Sequence, residues 1–434
     1  MAATGPPLDA DVLVLGGGMA GAMAALAARE AGARTVLVRR SPGATALSSG
    51  AVSVAPDRAA PPDAPLSTRA GPLEAARRIA ATRPDHPYAA AGVDRLADAL
   101  DFAARELSEV LVPRLDRPRF LATPFGTAVA AALCQRSMAA GDLLAVQARL
   151  AVGGFRGHLG FEASLVAAGL ARYAARGGPE VRAFAIDLPR LVHGADRPHE
   201  LARALEAPGA AEAAGEALRA ALPPGAQAAL LPPVLGLDPR ARVHERIEGA
   251  AGLPVAETLS DGPSVPGLRL QRAIDARLAA AGIEVVTAAV TGARGLGEVV
   301  RAGGRDLRAR TWVLATGRFV GGGIVRRGVL VEPALGLPVQ AAEGAEAGVH
   351  LAARPAASLT VRDRRAAQPL LSAGLRVDGA LRPLDERCRP VHPRLFAAGA
   401  VVGGHDQATD GTGLGVAILT GWLAGRAAAG LGAA

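Results

Sequence analysis

The chain contains no lysine and no asparagine, so its basic charge rests on 48 arginines alone. Cysteine, tryptophan and tyrosine occur twice each in 434 residues, and aromatic residues make up 3% of the chain. Each scarcity excludes something. Cys134 and Cys388 stand far apart, in no metal-ligand spacing, so the chain is expected to build neither a zinc site nor an iron–sulfur cluster of its own. Two reduced thiols in a cytoplasmic protein are the expectation. Few aromatics leave little on which bases can stack, and the arginines are dispersed, so the net charge of +8 follows from arginine-only usage rather than from a nucleic-acid face. The first apolar run lacks a basic leader, so no signal peptide is expected. The last, Gly413 to Gly425, ends at Arg426 and falls short of the roughly 20 residues that span a bilayer. What remains is a globular chain, 50% hydrophobic, with room for two domains or for one with a large insertion.

The most informative segment is Asp11-Val-Leu-Val-Leu-Gly16-Gly17-Gly18-Met-Ala-Gly21. A short apolar strand breaks into glycines and continues as an Ala-rich helix. Gly16 permits a tight turn, Gly18 lets the backbone approach a pyrophosphate, and Gly21 lets helix and strand pack closely. The helix start then offers free N–H groups and a partial positive charge to an anion. A glycine turn without a ligand has the same signature. The second strand, Arg34 to Val38 after a stop at Gly32, completes a βαβ unit and favours the nucleotide. An acid is expected next, to bind ribose hydroxyls, and the sequence has Arg39 and Arg40 instead. An arginine there either faces a 2′-phosphate or signals that no ordinary adenosine ribose sits in this place.

A hydroxyl-rich loop holding Ser48, Ser49 and Gly50 follows, where a cofactor would cross the sheet edge. From Pro56 to Asp261 the pattern suggests an insertion: helices at Leu73–Ala81 and Val93–Leu107, a strand at Ala145–Val152, a glycine turn at Gly153-Gly154-Phe-Arg-Gly157, a helix at Phe161–Ala175, and His199–Leu222 broken at Pro208-Gly209. The chain then returns with a helix at Arg269–Ala281. A β-meander is expected from Ile283–Thr287, Glu298–Ala302 and Leu307–Thr311, running into a buried strand from Trp312 that ends at Thr316-Gly317. Leu395-Phe-Ala-Ala-Gly399 is another such strand, and Gly411-Thr-Gly413-Leu-Gly415 opens the last helix. The expected parts are 1–58, an insertion over 59–261, and a return over 262–434.

This order resembles the two-dinucleotide-binding-domain flavoproteins. Leu47-Ser48-Ser49-Gly50, His86-Pro87-Tyr88, Pro263-Ser-Val-Pro-Gly-Leu-Arg-Leu270, Gly317-Arg-Phe-Val-Gly-Gly-Gly323 and Leu395-Phe-Ala-Ala-Gly399 with Gly403-Gly404 and Asp406 are similar to strings in the B subunits of anaerobic glycerol-3-phosphate dehydrogenase. The resemblance implies an α/β chain with a Rossmann-like FAD/NAD(P)-binding fold, a β-meander and a large inserted α/β domain. It implies a flavin, FMN with FAD as the alternative, held by Gly16, Gly18, Gly21, Ser48, Ser49, Gly50, Thr316, Gly317, Gly399, Gly413 and Gly415. It also implies a catalytic A subunit, a membrane-associated iron–sulfur C subunit, and a place at the inner face of the cell membrane through that complex. The reaction implied is oxidation of sn-glycerol 3-phosphate to dihydroxyacetone phosphate, with electrons passing to quinone.

Arg39 departs from the FAD pattern, as does Ala400, which stands where an aspartate usually holds the ribityl chain; both agree with FMN. Arg318, Arg326 and Arg327 are candidates to hold phosphate, though a solvated turn reads equally well. His405, beside Asp406, is the first candidate proton acceptor and His86 the second, with the catalytic residue left unassigned. A non-catalytic scaffold and a self-sufficient enzyme of fumarate-reductase-like type are the competing readings. No metal site is expected.

Overall fold

The computed structural model describes residues 7–192, 197–294, 299–339, 359–363, 366 and 368–432. The chain divides into two compact units. The first comprises Met1–Ala44, Ala76–Glu106 and Ile274–Ala434, the second Thr45–Ala75 and Leu107–Ala273. This partition differs from the expected boundaries, because 76–106 joins the first unit and 45–58 the second. In the first unit, Phe102 packs against Trp422 with ring centroids 6.4 Å apart, and Arg105 pairs with Glu30 at 2.6 Å. Amphipathic spacing showed which face of this helix is apolar, but spacing carries no information about the element that covers it.

In the first unit β1 (Leu8–Leu15), α1 (Met19–Glu30) and β2 (Thr35–Arg39) form the βαβ start, and α2 is Leu96–Glu106. They are followed by β3 (Glu284–Thr287), β4 (Val290–Arg294), β5 (Val299–Ala302), β6 (Arg305–Leu314), β7 (Leu395–Ala397) and α3 (Gly415–Gly432). The sheet runs β3-β2-β1-β6-β5-β4, with β7 also paired to β6. Two expectations are corrected here. The 283–287 strand is no part of the meander; it lies parallel to β2 as an edge strand, and the first meander strand is β4. Residue 298, the expected start of the next strand, lies outside the described residues.

The segments read separately as 307–311 and 312–314 are one strand, β6, parallel to β1 from Leu307 to Leu314. Its other edge pairs antiparallel with β5 over Arg305–Arg308 and parallel with β7 over Trp312–Leu314. A strand that changes partner midway reads as two segments in sequence, because its solvated half alternates and its fully buried half does not. Behind the sheet, a Cβ on Gly421 would lie 2.3 Å from the Ala20 carbonyl oxygen, and one on Gly425 2.2 Å from that of Ala24. Glycines four residues apart therefore let α3 lie backbone to backbone on α1.

The second unit is built on a parallel sheet ordered Val255–Glu257, Ala228–Leu231, Arg149–Phe155, Glu180–Ile186. Gly153 and Gly154 lie inside the third of these strands, not in the expected turn. A Cβ on Gly153 would be 2.8 Å from Ile186 and 2.9 Å from Phe184, so the glycine makes room for neighbouring side chains. Helices Pro198–Glu206 and Ala210–Ala221 are separated at Pro208-Gly209, with Gly209 at φ +75°. A buried ion pair, Arg269 with Glu257, ties the Val265–Ala280 helix to the sheet. Gln135 and the Ser137 hydroxyl complete its hydrogen bonds.

Candidate functional site

The glycine segment turns at the carboxyl end of β1. Gly16 has φ +128°, and a Cβ there would lie 2.0 Å from the Ala315 carbonyl oxygen. A Cβ on Gly21 would lie 1.9 Å from the Gly16 oxygen. Only glycine fits at either place. Gly18 caps α1 with φ −83° and no side-chain cap, and no acidic residue stands in the first turn. Gly18 has no side chain of its own with which to cap α1, and a glycine-led helix start is the kind of place where a backbone N–H group meets an anion. The backbone of Gly43 lies against Gly18: a Cβ on Gly43 would be 2.4 Å from the Gly18 Cα.

Arg39 ends β2, and its side chain folds over Gly17, where an added Cβ would meet Arg39 Cδ at 2.4 Å. Its guanidinium donates to both oxygens of Asp275, at 2.5 and 3.1 Å. Of the two readings of Arg39, the one that opens it to a 2′-phosphate is the less favoured, since this cation is already matched by a bidentate carboxylate.

Two further glycine ends belong to the same unit. Thr316, just past β6, has a buried hydroxyl with no partner among the described residues, and Gly317 beside it has φ +75°. Past β7, Gly399 at φ +72° donates its N–H to the Thr420 hydroxyl at 2.8 Å. Thr412, before α3, carries a second buried hydroxyl with no partner among the described residues, ahead of Gly413 at φ +48° and Gly415 as the first helical residue. Buried hydroxyls are normally satisfied, so two orphans beside strand ends and a glycine-led helix fit a polar, phosphate-bearing group at the carboxyl edge of this sheet.

Ser48, Ser49 and Gly50 belong to the second unit. There the Ser48 and Ser49 carbonyls accept from the Ser264 hydroxyl and the Ser260 N–H, and the Gly50 carbonyl accepts from Gln135.

The histidines lie in a charged cluster of the first unit. His86 is fully buried, and its Nδ1 accepts from the Tyr88 N–H at 3.1 Å, so the neutral ring carries its proton on Nε2. His86 is thereby a donor, not the proton acceptor expected from sequence. Burial, then the Arg83 charge, lowers its pKa to about 3. The Asp410 carboxylate lies 3.8 Å from Nε2 and pairs with Arg83 at 2.5 Å. Asp406, beside His405, accepts from the Ala408 and Thr409 N–H groups and the Thr409 hydroxyl, which makes it a helix cap.

Arg318 donates to the carbonyls of Ala400, Val402 and His405 at 3.1, 3.4 and 3.1 Å, and its pKa is lowered to about 10, chiefly by burial. It orders the loop after β7 rather than standing free for phosphate. Arg326 and Arg327 are exposed on the Val325–Arg327 strand. Arg83 and Asp410 were not found from sequence; they meet across 327 positions, and nothing in their local spacing signals the pairing.

A strand-glycine-helix start, a parallel sheet with a meander and a second glycine-led helix define a dinucleotide-binding α/β domain of flavoprotein type. A family model described as FAD binding domain matches residues 11–416. The chain is 33% identical over 451 residues to the probable anaerobic glycerol-3-phosphate dehydrogenase B subunit of Halobacterium salinarum, covering 97% of this chain and 98% of that one. It is 31% identical to the anaerobic glycerol-3-phosphate dehydrogenase B subunit of Pectobacterium atrosepticum, covering 94% and 96%. Among solved structures, an open flavocytochrome c3 fumarate reductase aligns with a TM-score of 0.44 at 12% identity, covering 99% of this chain and 79% of that one. The chain belongs to the FAD-binding-domain family of flavin oxidoreductases and, within it, to the family of anaerobic glycerol-3-phosphate dehydrogenase B subunits. Among the described residues no helix is long and apolar enough to cross a membrane, and no group of three or more His, Cys, Asp or Glu is placed to hold a metal ion.

Proposed function

We propose that this chain is the flavin-binding B subunit of an anaerobic glycerol-3-phosphate dehydrogenase. It would work beside a catalytic A subunit and a membrane-associated iron–sulfur C subunit at the inner face of the membrane, in a complex that oxidises sn-glycerol 3-phosphate to dihydroxyacetone phosphate and delivers electrons to quinone. The observation that carries the reading is the close backbone approach at Gly16 and Gly21, where any side chain would strike backbone, behind a helix α1 led by Gly18. Likeness to the B-subunit relatives over nearly their whole length supports it.

Gly16, Gly18 and Gly21 would admit the phosphate to the N–H groups of α1. The Thr316 and Thr412 hydroxyls, with Gly317, Gly399, Gly413 and Gly415, would border the rest of the group. A bound flavin supplies the capacity to accept a hydride and to release electrons singly. With no metal-ligand cysteine set in its sequence, the chain leaves that onward transfer to a partner. The purified chain is expected to carry flavin but to turn over sn-glycerol 3-phosphate poorly until the partner subunits are added. Quinone reduction by the single chain at the rate of the assembled complex would replace this reading with a self-sufficient dehydrogenase.

FMN is the cofactor we propose, because the Arg39–Asp275 pair stands where FAD would need an acceptor for its ribose. Chromatography of the released cofactor is expected to give FMN. The double variant Arg39→Glu, Asp275→Ala puts a carboxylate at the end of β2 and should shift retention toward FAD roughly ten-fold, the worth of a hydrogen bond to a charged acceptor. The matching family is described by FAD binding. Stoichiometric FAD in the unaltered chain would mean that Asp275, oriented by Arg39, receives the ribose itself.

A further inference from the structure

Thr420 lies in the second turn of α3 and is fully buried. Its hydroxyl donates to the Val416 carbonyl at 2.6 Å, the back-bond a threonine makes to the preceding turn of its own helix. The same oxygen accepts the Gly399 N–H at 2.8 Å, which joins α3 to the turn after β7, 21 positions away. A hydroxyl both donates and accepts, so one side chain serves both bonds.

The turn is pressed against α1 as well. Gly399 is buried with φ +72°, and a Cβ on it would lie 2.5 Å from the Ala20 Cβ, in the first turn of α1. A Cβ on Gly421, the residue after Thr420, would lie 2.3 Å from the Ala20 carbonyl oxygen. The turn after β7 and the second turn of α3 therefore close on the same residue of α1, and the Thr420–Gly399 bond ties the two together. Further along, the Gly399 carbonyl accepts the Val402 N–H at 3.0 Å, and Arg318 donates to the Ala400 and Val402 carbonyls.

We infer that Thr420 is a positioning residue for the flavin: it takes up the Gly399 N–H and thereby fixes the turn after β7 against the start of α1. The inference rests on the function proposed above. With its N–H given to Thr420, Gly399 borders the cofactor by the path of its backbone, and Ala400 beside it has no polar side chain to add. What this stretch contributes is thus the course of the main chain, held by Thr420 at its first N–H and by Arg318 at two of its carbonyls. A buried N–H deprived of its acceptor costs more than the bond itself was worth, so the turn would move to find another.

Titration of the full chain, stripped of cofactor, with FMN and with FAD tests this, read by quenching of flavin fluorescence. Thr420→Val keeps the side-chain volume but removes the acceptor of the Gly399 N–H, and should weaken binding roughly ten-fold. Thr420→Ser keeps the hydroxyl and should restore it. Hydrogen exchange of the Leu395–Val402 peptide, measured without flavin, should quicken in Thr420→Val and recover in Thr420→Ser. Thr420→Ala removes the same acceptor without adding bulk and carries the test should valine disturb the fold. Faster exchange with unchanged flavin affinity would reduce the bond to a structural tie, and unchanged exchange would mean that the N–H finds another acceptor; either result overturns the assignment, as would a serine variant as weak as the valine one. An unaltered chain that binds neither flavin would instead overturn the function proposed above, and this inference with it.

Discussion

Gly18→Val should purify folded and nearly colourless. Gly18 sits at φ −83°, ψ −172°, an extended conformation open to every L-residue, and its carbonyl still receives the Ala22 N–H that starts α1. The substitution would bring a branched side chain to the N-cap of α1, beside the N–H groups proposed to meet the phosphate. Retained flavin should drop below about a tenth, since losing two charge-assisted hydrogen bonds costs roughly 3 kcal/mol or more. Gly18→Ala should be intermediate. It also controls for the Gly43 backbone, which lies against Gly18 and limits what can be added there. The readouts are visible absorbance per chain and an unchanged circular dichroism spectrum. Full flavin in folded Gly18→Val would move the cofactor away from this helix. Gly16→Val and Gly21→Val answer a different question, because a Cβ at those positions would meet backbone at 2.0 and 1.9 Å and the strand-helix unit itself would open.

What the sequence made legible follows the range of the forces involved. The βαβ start, the break at Pro208-Gly209 and the last helix beginning at Gly415 are set by neighbours a few positions away, so they could be read. The first meander strand was misplaced because Glu284–Thr287 and Val290–Arg294 are equally short and β-prone; what separates them is that β2 offers an open edge to the former. Arg39 left two readings open, a partner for a 2′-phosphate or the absence of an ordinary ribose, since nothing near it in sequence foretells Asp275 on a helix 236 positions away. His86 and His405 could be named singly from their flanking residues. Their packing against each other could not, because it depends on the Gly404 backbone resting against that of Asp85. Pairings of this kind come from chain topology, and local composition does not encode them.

The largest loss of stability is expected from Arg269→Met in the second unit. Side-chain exposures of 7% for Arg269 and 0% for Glu257 place both charges out of water. Each is tolerable only because the other, with Gln135, Ser137, the Gly236 carbonyl and the Leu235 N–H, satisfies its hydrogen bonds. Methionine fills the volume but leaves the Glu257 carboxylate with only a hydroxyl and one amide, a change worth about 3–5 kcal/mol. Hydrogen exchange read peptide by peptide should show the Ala228–Leu231 and Val255–Glu257 strands losing protection by roughly a hundred-fold or more. The double variant Arg269→Met, Glu257→Leu removes the stranded charge and should recover much of that loss, leaving the cost of the unmatched Leu235 N–H and Ser137 hydroxyl. The disturbance should also reach the Gly50 turn, since Gln135, which Arg269 orients, donates to the Gly50 and Pro266 carbonyls at 3.1 and 2.7 Å. Faster exchange at Ser48–Gly50 with lower flavin retention would tie that loop to cofactor binding. Unchanged protection of both strands in Arg269→Met would show instead that the Glu257 carboxylate finds water or a proton, and that the ion pair contributes little to holding the sheet together.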